Sequence, residues 1–256
     1  MTRFTVLPDP ATVADATADR VVSAARASIQ ERGVFRIALS GGGTPKQVYP
    51  LLLEPAHRDL VDWSAVEFFW GDERTVPPDH PDSNFGVAYG MLISQLPGVR
   101  QDRIHRMPAE APDLDAAALS HESELRIVFG ARGEQVPAFD LIWLGMGPDG
   151  HTASLFPGST GLEEDRRWVI GNWAPAQEAW RMTLTFPVLN AARDVIFVVT
   201  GADKADALRE IRAGGSDLPA ARVDGEQVEW IIDAAANAGG EAILADAVEP
   251  PPSDVA

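Results

Sequence analysis

DLIWLGMGPDGHTASLFPG, residues Asp140 to Gly158, decides how the rest of this chain is read. The apolar run Leu141 to Leu144 has the character of a strand buried on both faces, and it breaks into a glycine-rich turn carrying Asp149 and His151. In an α/β protein the turn at the carboxyl end of a central strand is where ligands bind. Glycine there lets backbone approach a ligand closely. A histidine can move a proton near neutral pH, and an acid two residues away can fix its tautomer. The plain alternative is an ordinary strand exit in which His151 caps a backbone group. Two further loops tip the balance toward a site.

Outward from this stretch, strands and helices alternate. Phe4 to Leu7 reads as a short strand, and Asp9 with Pro10 starts a helix that ends near Gly33. Phe35 to Leu39 is a strand running into SGGGTPK. Thr44, with Pro45 and Gln47 behind it, has the form of a capping box opening a helix through Leu53. Val66 to Trp70 is a strand followed by the long polar loop GDERTVPPDHPDSN, in which Ser83 and Asn84 read as caps. Helices are expected from Phe85 to Leu96, Leu114 to Phe129 and Ala205 to Ala213. Strands are expected at Trp168 to Gly171, Arg181 to Leu184, Val195 to Thr200 and Val228 to Ile232. The alternation predicts a single α/β domain over residues 1–247, a mostly parallel open sheet with helices on both faces. Residues 248–256, VEPPPSDVA from Val248, are expected to be a disordered tail.

The chain has 256 residues, 45% hydrophobic and 23% charged, enough to bury a sizeable core. No apolar run reaches the roughly 20 residues of a membrane span. The N-terminus MTRFTVLPDP lacks the pattern of a signal peptide, and there is no cysteine for thiol catalysis, disulfides or zinc thiolates. Together these features lead to the expectation of a cytoplasmic protein. The net charge of -17 argues against nucleic-acid binding. It also requires that an anionic ligand be captured locally, against the global field. Of the 21 basic residues only Lys46 and Lys204 are lysines, each placed just after an expected strand.

The first loop, Ser40 to Pro45, joins three glycines to a helix N-terminus and so offers free N–H groups to a phosphate. It lacks the Gly-Lys-Ser/Thr ending of a Walker A loop. The second, Gly71 to Arg74, places charged side chains directly after a strand, where they can meet sugar hydroxyls or a carbonyl; a solvated turn is its plain reading. The third contains a formal Gly-x-Gly-x-x-Gly, Gly145 to Gly150, but Pro148 opposes a helix there and Ile170 stands where a ribose-binding acid would be needed. A dinucleotide is therefore not the expected ligand. No Gly-x-Ser-x-Gly elbow occurs, and the His121-Glu122 string lacks a second ligand at Leu125. Neither a metal nor another cofactor is expected. His57, His80 and His105 read as surface or capping residues.

Taken together, LSGGGTP, FFWGDER and DGHTASLFPG, continued by RMTLTFPVLN and GADK, resemble the 6-phosphogluconolactonase family over residues 35–210. That family is related to the glucosamine-6-phosphate deaminases, so the resemblance implies their Rossmann-like, isomerase-type fold. The deaminases carry a glutamate shortly after the matching histidine; Phe156 stands there here, and Arg74 replaces the tyrosine of their DEY. Both differences favour the lactonase. The implied reaction is hydrolysis of 6-phospho-D-glucono-1,5-lactone to 6-phosphogluconate in the oxidative pentose phosphate pathway. A deaminase and a non-catalytic sugar-phosphate sensor are the alternatives.

The resemblance implies His151 as the general base, Asp149 as its orienting partner, and Arg74 or backbone N–H groups as oxyanion donors. It assigns the phosphate to Gly42, Gly43 and Thr44 beside Ser40, with charge from Arg181 and Lys204, and the sugar hydroxyls to Asp72. Whether Asp149 touches His151 is left open by the sequence. The expected partner is a small sugar-phosphate lactone, with neither nucleic acid nor membrane, and the expected state is a monomer or small homo-oligomer.

Overall fold

The computed structural model describes residues 2–133 and 135–239. Its nine strands are β1 (Thr2–Leu7), β2 (Phe35–Leu39), β3 (Val66–Trp70), β4 (Asp72–Arg74), β5 (Leu141–Leu144), β6 (Val169–Ala174), β7 (Ala179–Leu184), β8 (Asp194–Val199) and β9 (Gln227–Asp233) among the described residues. The α-helices are α1 (Pro10–Arg32), α2 (Gly43–Leu53), α3 (Pro55–Arg58), α4 (Asn84–Met91), α5 (Leu114–Val128), α6 (Phe186–Asn190) and α7 (Ala205–Ala213). None of these described helices is long and apolar enough to cross a membrane.

Six strands form one parallel sheet in the order β1-β9-β8-β5-β2-β3. From β2 the chain steps outward to β3, then returns to lay β5 on the opposite side of β2. The direction of winding therefore reverses between β2 and β5. Loops leaving the carboxyl ends of two such strands diverge and leave a crevice, the usual ligand position in open α/β sheets. Here those loops are the Ser40–Gly43 turn and the Gly145–His151 turn.

Helices cover both faces of the sheet, and side-chain alternation assigns the core residues to each. In β5, Ile142 and Leu144 join the core beneath α5 and α7, whereas Leu141 and Trp143 join the core beneath α1, α2 and α4. Phe197 of β8 stacks on Trp230 of β9 with centroids 3.9 Å apart. Asp140, at the entrance to β5, accepts the Arg36 N–H at 2.8 Å and pairs with Arg32. Its bonds pin the start of the central strand to β2. At the first helix, Asp9 caps the Thr12 N–H and Gly33, at φ 73°, closes the other end, as the sequence predicts.

Several expectations need correction. The GDER segment is not a plain loop: β4 pairs with β7, and β7 with β6, in a three-stranded antiparallel sheet packed at the carboxyl side of the large one. The helix after the glycine loop begins at Gly43 with Gly42 as its cap, so the Thr44 capping box does not form. The helix expected to reach Leu96 stops at Met91 and gives way to a short 3₁₀ turn, Ile93–Gln95. Asn84 is no cap; Ser83 alone holds that place, accepting from the Gly86 N–H. The expected domain boundary at residue 247 and the tail 248–256 lie outside the described residues.

His105 is also buried rather than superficial, stacked on Phe69 with centroids 4.5 Å apart. It shares Glu124 with the buried His121: the two Nδ1 atoms lie 2.7 and 3.2 Å from its carboxylate oxygens. Hydrogen bonds first from His105 and then from His121 hold the Glu124 carboxyl at about 2. A depressed folded pKa contributes stability above the unfolded value, about 4.3, and loses it as pH falls toward the folded one. Glu124→Gln should therefore lower the melting temperature at neutral pH, and the gap to wild type should close between about pH 4.5 and 2. A gap of constant size across that range would remove the histidine–carboxylate pairing as its cause.

Candidate functional site

At the crevice between β2 and β5 lies a cavity of about 370 Å³. The loops after β2, β5 and β8 form its floor and sides, and the β6–β7 hairpin reaches over it with Gln177 and Arg181. Ser40, Gly42, Gly43, Thr44, Asp72, Arg74, His151, Arg181 and Lys204 all line this one space. Residues that the sequence spreads over more than 160 positions are thus brought together, with Asp149 directly behind His151.

The imidazole is fixed from three sides. Asp149 Oδ1 lies 2.6 Å from His151 Nδ1 and also accepts the His151 backbone N–H at 3.2 Å. Phe156 packs against the ring with centroids 4.6 Å apart. Gly147 closes the third side: a Cβ there would come within 2.1 Å of Nδ1, so the backbone can pass only as glycine. With Nδ1 donating to the carboxylate, the Nε2 lone pair is left for the cavity. Burial pushes the Asp149 carboxyl up, but the His151 charge and hydrogen bonds outweigh it and hold the carboxyl below its ordinary value. Asp149 consequently stays anionic at neutral pH and keeps the imidazole in this tautomer.

Beyond the histidine the chain makes a tight reversal. Thr152 and Leu155 exchange backbone hydrogen bonds, Thr152 Oγ1 donates to the Gly145 carbonyl, and Ala153 between them takes φ 46°. The turn delivers Ser154 Oγ to Asp72 Oδ2 at 2.6 Å. Asp72 therefore belongs to the same frame as the histidine loop, although it lies 79 residues before His151.

The cationic side is built differently. Gly42 caps α2 at φ 98°, a left-handed region open to glycine, and leaves the first N–H groups of the helix uncapped by any side chain. Thr44 Oγ1 faces Thr200 Oγ1 at 3.5 Å across the mouth of the cavity, near Lys204. Lys204 pairs with Asp203 at 2.8 Å. Arg74 and Arg181 are direct cross-strand partners on β4 and β7. Like charges in that relation are destabilising. Their hydrogen bonds go to the carbonyls of Asp82 and Trp180, and neither forms an ion pair among the described residues. Burial, and then the Arg74 charge, pull the Arg181 guanidinium below its ordinary value. An anion between the two would relieve their mutual repulsion. Lys46 is exposed and lines a smaller neighbouring cavity instead.

Ser154, Thr200 and Gln177 line the cavity without having been picked out from the sequence. Ser154 and Thr200 follow strands and could have been sought on that ground. Gln177 sits at a hairpin tip that no local pattern announces. His121 and Glu122, the imperfect HExxH-like pair, are buried in α5 away from the cavity.

The family described as glucosamine-6-phosphate isomerases/6-phosphogluconolactonase matches residues 8–232 of the chain. The sequence is 37% identical to 6-phosphogluconolactonase of Nostoc sp. over 238 residues, covering 91% of this chain and 96% of that one. The structure is similar to 6-phosphogluconolactonase from Trypanosoma cruzi, with TM-score 0.84 and 28% identity, over 94% of this chain and 98% of that one. A monomeric glucosamine-6-phosphate deaminase shares the fold at TM-score 0.76 and 18% identity, over 92% of this chain and 99% of that one.

The packing at Gly147 makes a direct prediction. Gly147→Ala should displace the imidazole: a crystal structure should show His151 Nδ1 broken from Asp149 while the sheet is unchanged. An undisturbed 2.6 Å contact in that variant would mean that the glycine is not required by the histidine.

Proposed function

The chain belongs to the 6-phosphogluconolactonase family, and on that premise we propose that it hydrolyses 6-phospho-D-glucono-1,5-lactone to 6-phosphogluconate, with His151 as general base. The observation that carries this reading is the Asp149–His151 pair, which turns a basic Nε2 into a cavity with cationic groups on its other walls. Water held by Nε2 attacks the lactone carbonyl, giving its proton to the imidazole as the C–O bond forms. Negative charge then gathers on the former carbonyl oxygen, where Arg74 or backbone N–H groups of the glycine turns are the donors. Collapse of the tetrahedral intermediate breaks the ring C–O bond, and the imidazolium returns its proton to the leaving alkoxide. The new acid ionises to solvent, and His151 is again neutral.

The phosphate is assigned to the α2 N-terminus, Ser40, Gly42, Gly43 and Thr44, with Arg181 and Lys204 supplying charge. Asp72 accepts hydrogen bonds from the sugar hydroxyls. Phe156, packed on the imidazole, supports hydrolysis over deamination, because a phenyl ring cannot carry the proton that ring opening of an amino sugar requires.

The test is the hydrolysis of freshly generated 6-phosphogluconolactone against its uncatalysed rate, with ammonia release from glucosamine 6-phosphate assayed in parallel. Acceleration of the first with none of the second is expected; the reverse would make the chain a deaminase. His151→Ala should lower kcat by about 10²–10⁴-fold with the fold intact. Near-normal turnover would take His151 out of the mechanism.

Lys204→Ala separates binding from chemistry. A charged hydrogen bond is worth about 1.5–3 kcal/mol, so substrate should bind about 10- to 150-fold more weakly, chiefly in KM. Unphosphorylated gluconolactone should be affected little by the same change. Equal losses on both substrates would reassign Lys204 to structure or chemistry.

A further inference from the structure

Behind Asp72 lies a polar cluster that the proposed mechanism does not use. Glu73 points away from the cavity into the protein, 3% exposed. It accepts four hydrogen bonds: Oε1 from the backbone N–H groups of Arg74 and Asn84, Oε2 from the Phe85 N–H and the Ser83 hydroxyl. Three of these donors belong to the start of α4. Burial raises the Glu73 carboxyl above its ordinary value, yet every available lone-pair direction meets a donor. The carboxylate thus fastens the first turn of α4 to β4.

Asn84, at the first position of that turn, is itself 3% exposed. Both protons of its amide are spent on one residue: Nδ2 donates to the Asp72 carbonyl at 2.9 Å and to Asp72 Oδ1 at 3.2 Å. Ser154 holds the other carboxylate oxygen. With a protein donor on each oxygen the carboxylate cannot rotate, and its remaining lone pairs are presented in one orientation. The opposite edge of the asparagine abuts the glycine loop without a hydrogen bond to it among the described residues. A Cβ on Gly41 would lie 1.9 Å from Asn84 Oδ1, so loop and amide are in immediate contact. One side chain thereby touches both the Asp72 segment and the phosphate loop.

We infer that Asn84, anchored through Glu73, is a positioning residue that sets the Asp72 carboxylate for the sugar hydroxyls. This rests on the reading of Asp72 as a substrate contact given under Proposed function. The side-chain hydrogen bonds of Asn84 go to Asp72 and its other edge only abuts Gly41, so its loss should cost little further once Asp72 is gone.

The experiment is a double-variant cycle on the full chain, with melting curves confirming that each variant folds. Asn84→Ala should raise KM for the lactone about tenfold or more, with a smaller change in kcat. In an Asp72→Ala background the same substitution should change kcat/KM less than about twofold. Losses that multiply in the double variant would overturn the inference and make Asn84 merely structural. Asn84→Asp has almost the same shape and covers the case in which the alanine variant fails to fold. It places a second carboxyl against Asp72, so KM should rise at neutral pH and recover in part as acid supplies a shared proton. Wild-type KM at neutral pH in that variant would also refute the proposal. A wild-type chain inactive on the lactone would refute the functional reading instead. In that event a crystal structure of Asn84→Ala still decides whether Asn84 positions Asp72: a displaced Asp72 carboxylate upholds that positioning, and an unmoved one ends it.

Discussion

Burial of β5 on both faces is the constraint on which the rest of the architecture depends. A strand that is apolar on every residue must lie inside a sheet with helices above and below, and parallel neighbours are the way such a sheet is built. Once β5 lies beside β2, the chain that has already gone outward to β3 must fill the other side with β8, β9 and β1. The reversal opens a crevice at the carboxyl ends of β2 and β5 without any residue being selected for it. The small antiparallel sheet then closes one side, bringing Arg74, Arg181 and Gln177 over a site begun by the parallel strands.

The chain carries a charge of -17, yet three cationic side chains line its cavity. At physiological ionic strength the screening length is about 8 Å, so acids scattered over the far surface contribute little at the cavity. What decides the local field is the group of Arg74, Arg181 and Lys204, with the open end of α2 beside them. Asp72 and Asp149 sit among these cations, but each has its charge committed: Asp72 to Ser154 and Asn84, Asp149 to His151. Arg74 and Arg181 have no ion-pair partner among the described residues and Lys204 pairs with the exposed Asp203, whereas Asp72 and Asp149 are held by hydrogen bonds, so the arginine charge is the part left uncommitted.

The elements most legible in the sequence were those whose signals are local. Asp9 with Pro10 and Gly33 marks the ends of α1, and the apolar run from Leu141 marks β5 together with the turn that carries His151. Elements made by distant partners were not legible. A three-residue strand such as Asp72–Arg74 has no periodicity to detect, and it exists because β7 arrives more than 100 residues later. The burial of His105 depends on Glu124 and Phe69, neither of them near it in sequence. Thr44 shows a local rule overridden: the left-handed Gly42 starts α2 early, carrying the threonine past the cap position and turning its hydroxyl toward Thr200. Asn84 sits where a cap is expected, and only the fold shows that its amide is turned to Asp72 instead.

Ala153 bears on how this site fails. An alanine held at φ 46° costs about 1–2 kcal/mol relative to its relaxed backbone, and it stays there only while its surroundings insist. The exchange between Thr152 and Leu155 and the Ser154 link to Asp72 supply that insistence. Remove enough of it and the loop has no reason to remain near its native shape, because its own preference lies elsewhere. Damage to the supporting frame therefore costs this turn more than the bonds removed, because the strain at Ala153, about 1–2 kcal/mol, then works toward release.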